Sequence, residues 1–294
     1  MRRLIVNADD FGFTLGVNRA IVEAHTSGIV TSTTLMANGR AFAGAVESSK
    51  MLPRLSVGCH VVLIDGEPML GDGQISSLTA GNSRFRNNLK SFAWRALSGR
   101  LDGQQMEAET TAQIRKLQTG GINVSHLDTH KHTHVFPAVL KPLLRAARAC
   151  GVRAIRNPFG PRRPLRTYDL LARPSLWTRY AEVRTLRTLA SKFTAAARRE
   201  GLVTPDGTFG IVVTGQLDES LFRAIAELIP EGTWEFVCHP GYNDADLQSA
   251  NTRLRESRET ELRVLTMPVA RELLDKQNIQ LMSYHDLVAG EGHI

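Results

Sequence analysis

Leu4-Ile5-Val6-Asn7-Ala8-Asp9-Asp10-Phe11-Gly12 is an apolar run that ends in two adjacent aspartates. Leu4 to Ala8 read as a buried strand, which leaves both carboxylates at its C-terminal end. Working outward, a second apolar run from Leu55 to Leu63 contains Gly58-Cys59-His60, and a short strand from Ser125 to Thr129 opens onto His126-Leu127-Asp128-Thr129-His130-Lys131-His132-Thr133-His134. Carboxylate and imidazole offered from separate strand ends can hold a divalent metal while leaving positions open for water and substrate. The pattern implies a metal-dependent hydrolase.

Further strands are expected at Val30–Ala37, Arg153–Arg156, Thr208–Thr214, Trp234–Cys238 and Ile279–Ser283. Helical patterns lie between them at Val17–His25, Phe42–Ser49, Met106–Leu117, Pro137–Cys150, Ser220–Leu228 and Arg255–Lys276. Strand and helix in alternation imply parallel pairing with helices outside. Asp9, Asp10, Asn38, His60, the histidine cluster, Arg156 and His239 all fall just past strand C-termini, the rim where the loops of a (β/α) barrel build a site. The expected fold is therefore α/β, an irregular TIM-like barrel forming one domain over 1–294. A doubly wound open sheet is its rival, because it also places ligands at strand ends.

Two helical insertions interrupt the pattern, at 84–101 and 162–199. In the second, Leu176, Tyr180, Val183, Leu186, Ala190, Phe193 and Ala197 recur at helical spacing among many arginines. Such a basic amphipathic helix suits a membrane surface or a lipid substrate. It equally suits an outer helix packed on the barrel with a solvated basic face.

Composition narrows the class. Hydrophobic residues make up 42% of the 294 residues, which excludes a disordered chain. Three cysteines, Cys59, Cys150 and Cys238, form no paired framework, and no segment reads as a signal peptide or a membrane span. A cytoplasmic protein is expected, with peripheral contact at the inner face of the cytoplasmic membrane as an extension. The net charge of +7 is open to anionic partners. No zinc finger or RNP motif accompanies it, so nucleic acid is not expected as a partner.

Strand parity sorts the candidates. Asp128, His130, His132 and His134 would share one face if extended, but a strand ending near Thr129 gives His130 the best aim at the barrel mouth and leaves His132 and His134 on the following loop. One or two of these histidines can reach a metal also held by Asp10 and His60. Cys59 and Cys238 turn away from His60 and His239 and read as core residues. Two neighbouring carboxylates repel when both are ionised, so one gains from a cation while the other can act as a base. Taken singly, His126 and His285 read as structural.

These motifs, together with Gly58-Cys59-His60-Val61-Val62-Leu63 and Cys238-His239-Pro240, resemble the YdjC-like carbohydrate deacetylases, in family order from Leu4 to about Leu287. The Arg-rich insertion resembles most the hopanoid-biosynthesis-associated branch. The resemblance implies metal ligation by Asp10, His60 and His130, with Asp9 as general base. Thr129 stands where many relatives have Ser, and Lys131 lies between histidines. The leaving amine needs a general acid. His239 is favoured for that role over His132 and His134, which are otherwise placed with Asn38 as substrate contacts. Arg156 is assigned to orienting Asp9, with a purely structural ion pair as the alternative. Two imidazoles and a carboxylate favour one zinc ion, while the family brings in magnesium.

The implied reaction is removal of acetyl from an N-acetylglucosamine unit, carried on an acetylglucosaminyl hopanoid glycolipid. A soluble chitooligosaccharide of the diacetylchitobiose type is the nearest rival. A two-metal phosphoester hydrolase is a rival of another class, and a membrane- or nucleic-acid-binding protein is the non-enzymatic one.

Overall fold

A computed structural model describes residues 1–290; the last four positions of the expected 1–294 domain lie outside the described residues. β1 (Arg2–Phe11) is the central strand, and its alternating residues divide the interior in two. Leu4, Val6 and Ala8 belong to the main apolar core, whereas Ile5 packs with Ala154, Met282 and Tyr284 on the opposite face. On that second face, inside the barrel, Asn7 meets His126 and Asp9 meets Arg156. The period of two thus sends apolar residues outward to the helices and polar ones inward.

β2 (Ser32–Leu35), β3 (Ser56–Val61), β4 (Leu127–Thr129), β5 (Gly207–Phe209), β6 (Gly232–Cys238) and β7 (Ile279–Met282) complete a parallel sheet in the order β4-β3-β2-β1-β6-β5. β7 pairs with the first half of β1, along residues 2–5. The edges at β4 and β5 are joined through 153–159. The Arg156 N–H donates to the Leu127 carbonyl at 2.9 Å, Ile155 to Val203 at 3.0 Å, and Thr208 to Phe159 at 3.1 Å. The sheet therefore curls into the irregular TIM-like barrel, and the open-sheet alternative falls.

Helices cover the outside in chain order. α1 (Leu15–Thr26) and α2 (Phe42–Lys50) flank β2, with the Thr14 hydroxyl capping α1 by accepting from the Val17 N–H. α3 (Leu89–Leu97) and α4 (Gly103–Thr119) follow β3, and Asp102 caps α4. α5 (Pro137–Ala149) starts on proline, which needs no donor partner at a helix start. α6 (Thr167–Leu171), α7 (Trp177–Leu186) and α8 (Ala190–Arg199) make up the second insertion. α9 (Glu219–Ala226), α10 (Ala245–Ser249), α11 (Glu256–Thr266), α12 (Pro268–Lys276) and α13 (Tyr284–Gly290) complete the set. No helix among the described residues is long and apolar enough to cross a membrane.

Several expected elements differ. The strand at Thr208–Thr214 stops at Phe209, because Gly210 takes φ +96° and lies so close to β6 that a Cβ there would meet the Val237 carbonyl at 2.2 Å. Arg153–Arg156 forms single bridges rather than a full strand. The helix over Arg255–Lys276 breaks at Met267, whose ψ of 137° is what the following Pro268 favours. The basic amphipathic helix of 162–199 is three short helices linked by 3-10 turns at Pro174–Leu176 and Arg187–Leu189. Its apolar stripe faces inward: Leu176, Phe193 and Ala197 are buried, and Tyr180, Val183, Leu186 and Ala190 pack half-buried against the core.

Candidate metal centre at the barrel mouth

In a regular strand Asp9 and Asp10 would point to opposite faces. The register of β1 on β2 shifts between Ala8 and Phe11, and Asp10 takes the left-handed φ of 70°. That local irregularity sets Asp10 at the mouth beside the inward Asp9, at a backbone cost that non-glycine residues rarely carry. His60 comes from the last turns of β3, and His130 from the residue after β4. Asp10 Oδ1 lies 3.4 Å from His60 Nε2 and 3.6 Å from His130 Nδ1. One ligand atom from each of the three lies within 4.8 Å of the others.

The donor set fits a divalent cation. His60 is oriented by Asp128, whose Oδ1 is 2.7 Å from Nδ1, which leaves Nε2 facing Asp10. Carboxylate–histidine pairs of this kind fix the tautomer and ring direction of metal-binding imidazoles. Thr34 donates to the other Asp128 oxygen at 3.1 Å. Burial alone would lower the His60 pKa, but Asp128, Asp9 and Asp10 outweigh it and raise it to about 9, so a cation would displace a proton from this ring. Arg258 donates to Asp10 Oδ2 at 2.5 Å, engaging one oxygen and leaving Oδ1 toward the imidazoles. A second trio, Asp9, His60 and Asp128, is also close enough to share an ion. It does not fit one, because the Arg156 guanidinium already pairs with both carboxylates, at 2.6 Å and 2.5 Å.

Asp9 is held differently. Arg156 grips it through two parallel hydrogen bonds of 2.8 and 2.6 Å, and Asn7 Nδ2 donates to Oδ1 at 3.1 Å. Burial pushes its pKa up, but Arg156, with His60 and His239, holds it well below the usual carboxylate range. Arg156 itself is fully buried among Asp9, Asp128 and Glu235. Burial raises the Glu235 pKa, which eases the excess of negative charge around one guanidinium. Glu235 also accepts from Tyr284 at 2.7 Å, and Tyr284 stacks on His126 with centroids 3.6 Å apart. Gly58 makes room for that ring, since a Cβ there would meet His126 at 2.5 Å.

His239, at the end of β6, has Nε2 3.8 Å from Asp9 Oδ2 and Nδ1 3.9 Å from Glu261 Oε2. Burial lowers its pKa to about 4, so the ring is neutral near pH 7. Glu261 accepts from the His239 backbone N–H at 2.6 Å, and burial lifts its carboxyl to about 7.

Asp9, Asp10, His60, His130, Arg156 and His239 thus converge. His132 and His134 follow β4 in a 3-10 turn, beyond the strand end as expected. The chain leaves extended geometry at His130, and Lys131 and His132 take left-handed φ values of 57° and 52°. His134 Nδ1 turns back onto the Thr129 hydroxyl at 2.6 Å. His132 Nδ1 is buried without a hydrogen-bond partner. Asn38 is tied by its Nδ2 to the Glu67 carbonyl at 2.6 Å. Lys131 pairs with Asp65 at 2.7 Å, which also accepts from Asn251 at 2.8 Å, linking three loops of the rim. Cys59 and Cys238 are buried free thiols. Sequence reasoning gave no role to Asp128, Arg258, Glu235 or Glu261; Asp128 was signalled only by its parity with His130.

The sequence matches the YdjC-like protein family over residues 3–276. The chain belongs to that family. It is 31% identical over 287 residues to a carbohydrate deacetylase of Brevibacillus brevis, covering 97% of this chain and 99% of the relative. A carbohydrate deacetylase of Geobacillus stearothermophilus is 32% identical over 286 residues, covering 97% and 98%. Among solved structures, the crystal structure of a putative cellobiose-phosphate cleavage protein from Enterococcus faecalis superposes with a TM-score of 0.78 at 25% identity, covering 97% and 98%. Relatives and chain match nearly end to end, so the barrel and both insertions lie within the shared length.

Proposed function

We propose that this YdjC-like chain is a carbohydrate N-deacetylase, a single domain over 1–294 that removes acetyl from an N-acetylglucosamine unit. The observation that carries the reading is the convergence of Asp10, His60 and His130 beside the separately held Asp9 and His239. The relatives named carbohydrate deacetylases, matched over nearly the whole length, support the deacetylase class. A divalent cation on Asp10, His60 and His130 would supply Lewis-acid charge, acidifying water from a pKa of 15.7 towards about 7 and stabilising negative charge on the acyl oxygen. Zinc suits two imidazoles and one carboxylate better than magnesium.

The protein's own groups handle the protons. Asp9, kept ionised and aimed by Arg156, accepts a proton from the attacking water as its oxygen closes on the acetyl carbon. His239 starts neutral, and its Nε2 lies 3.8 Å from Asp9 Oδ2, within one small rotation of receiving that proton. Transferred from there to the amide nitrogen, the proton turns a poor leaving group into a free amine as the carbon–nitrogen bond breaks. Glu261, beside Nδ1, stabilises the imidazolium while it lasts. Asn38 and His132 would contact the sugar, whereas His134, fully buried against Thr129, would only support the loop.

The favoured substrate is a lipid-linked sugar, an acetylglucosaminyl hopanoid, met by a cytoplasmic enzyme at the inner face of the membrane. The exposed apolar residues of the two insertions, among them Trp94, Leu97, Leu171 and Trp177, stand among arginines and support this choice over a soluble chitooligosaccharide. A two-metal phosphoester hydrolase is disfavoured because Arg156 fills the second carboxylate trio. The deciding experiment measures acetate released from the acetylglucosaminyl hopanoid and from diacetylchitobiose. Faster release from the glycolipid is expected; turnover of the soluble sugar alone would overturn the lipid assignment.

A further inference from the structure

α3 has apolar residues on two faces. Phe92 and Ala96, four apart, are buried against the barrel. Trp94 and Leu97, three apart, stand on the other side, 52% and 76% exposed. A helix on a soluble surface ordinarily gives its outer face to polar residues, so an outward tryptophan and leucine mark a face with a partner. The charge around it is one-sided. Residues 84–101 contain Arg84, Arg86, Lys90, Arg95 and Arg100 and no Asp or Glu. Arg100 lays its guanidinium over the Trp94 ring, 4.2 Å from the centroid, and Lys90 is exposed one turn before Trp94.

The second insertion repeats the pattern. Tyr168, Leu171 and Trp177 are 61%, 64% and 50% exposed, near the exposed Arg162, Arg163 and Arg166. Both insertions leave the barrel from its site end: the first follows β3, which carries His60, and the second follows the bridge that carries Arg156.

We propose that the outer face of α3, with Trp177 and Leu171 of the second insertion, docks the protein on an anionic lipid bilayer. Trp94 and Leu97 would enter the interfacial layer, and Lys90 and Arg100 would lie among the headgroups. Tryptophan favours that layer because its ring is apolar and its N–H is polar, and cations beside it gain from negative headgroups. Nucleic acid would use the cations and the indole but gain nothing from Leu97. A protein partner needs a broad complementary surface, which a convex two-turn helix does not offer. The purpose of the surface rests on the glycolipid reading; the exposed residues and the charge do not.

The test is co-sedimentation of the full chain with phosphatidylcholine vesicles and with phosphatidylcholine–phosphatidylglycerol vesicles, at low and high salt. The variants are Trp94→Ser with Leu97→Ser, and Lys90→Gln with Arg100→Gln. All four positions are exposed, and unchanged thermal melting by circular dichroism verifies the fold. Binding to the anionic vesicles is expected, weakened by at least about tenfold in the apolar pair and by roughly fivefold per cation removed. No binding to anionic vesicles, or equal binding by folded variants, would overturn the proposal. So would a dimer in sedimentation equilibrium that the apolar pair abolishes, since the face would then be covered by a second copy. Vesicle binding that persists in an enzyme unable to deacetylate the glycolipid would remove the substrate reading and leave the surface standing.

Discussion

Asp9 and Asp10 are neighbours in the chain and live in opposite surroundings. Asp9 has both oxygens engaged, by the paired bonds of Arg156 and by Asn7. Asp10 gives one oxygen to Arg258 and turns the other toward two imidazoles. Around Asp9 the cation is built into the protein; around Asp10 a further one has room. Identical side chains one residue apart therefore meet different partners because of what was folded against them. For both, burial opposes ionisation and a neighbouring arginine overcomes it, so both are anionic at neutral pH.

The sharpest way to break this contrast is to neutralise the Asp9 side. Asp9→Asn leaves Arg156 with Asp128 and Glu235, so the fold should survive. Turnover is expected to fall by about 10²–10⁴-fold, with metal affinity retained. His239→Ala should behave the same way in steady-state assays of acetate release, and near-normal rates would remove its role as acid. On the Asp10 side, Asp128→Asn removes the carboxylate that aims His60 and should weaken metal binding by about 10–100-fold in calorimetric titration.

The smallest effect is a pH slope. The Glu261 carboxyl is raised by burial from 4.5 to about 7, so the folded chain binds its proton more tightly than the unfolded one. This group's contribution to stability is therefore greatest below about pH 4.5 and is lost as pH rises through about 7. Glu261→Gln should flatten that part of a denaturant-midpoint series measured from pH 4 to 8. An unchanged slope would show that Glu261 is already ionised in the folded protein.

Much of this was legible in the sequence because apolar runs ending in ligand-type residues report strand ends directly. The run into Asp9-Asp10, His60 before a loop, and His130 after Thr129 pointed to the parallel barrel and to Asp10 and His60 with one or two cluster histidines; the choice of His130 came from the family resemblance. What was hidden depends on contacts that period and composition do not encode. Parity and the strand end put His130 at the mouth and the next two histidines on a loop, but not the left-handed backbone at Lys131 and His132 that sets how that loop turns. Gly210 ends β5 early because it lies against β6. The basic stripe of 162–199 read equally as a membrane or a barrel face, and only its packing showed that it turns inward. Arg258 and Glu261 sit on α11 far along the chain, and nothing near them in sequence names Asp10 or His239 as partners. The exposed face of α3 was readable only as basic and aromatic, since burial decides which residues point outward.

One cation is expected at Asp10 and none at Asp9. Elemental analysis of purified wild type, Asp10→Asn and Asp9→Asn, each equilibrated with zinc and desalted, tests it directly. The account predicts one metal per chain in wild type and in Asp9→Asn, and almost none in Asp10→Asn. Equal metal content in the two variants would contradict it.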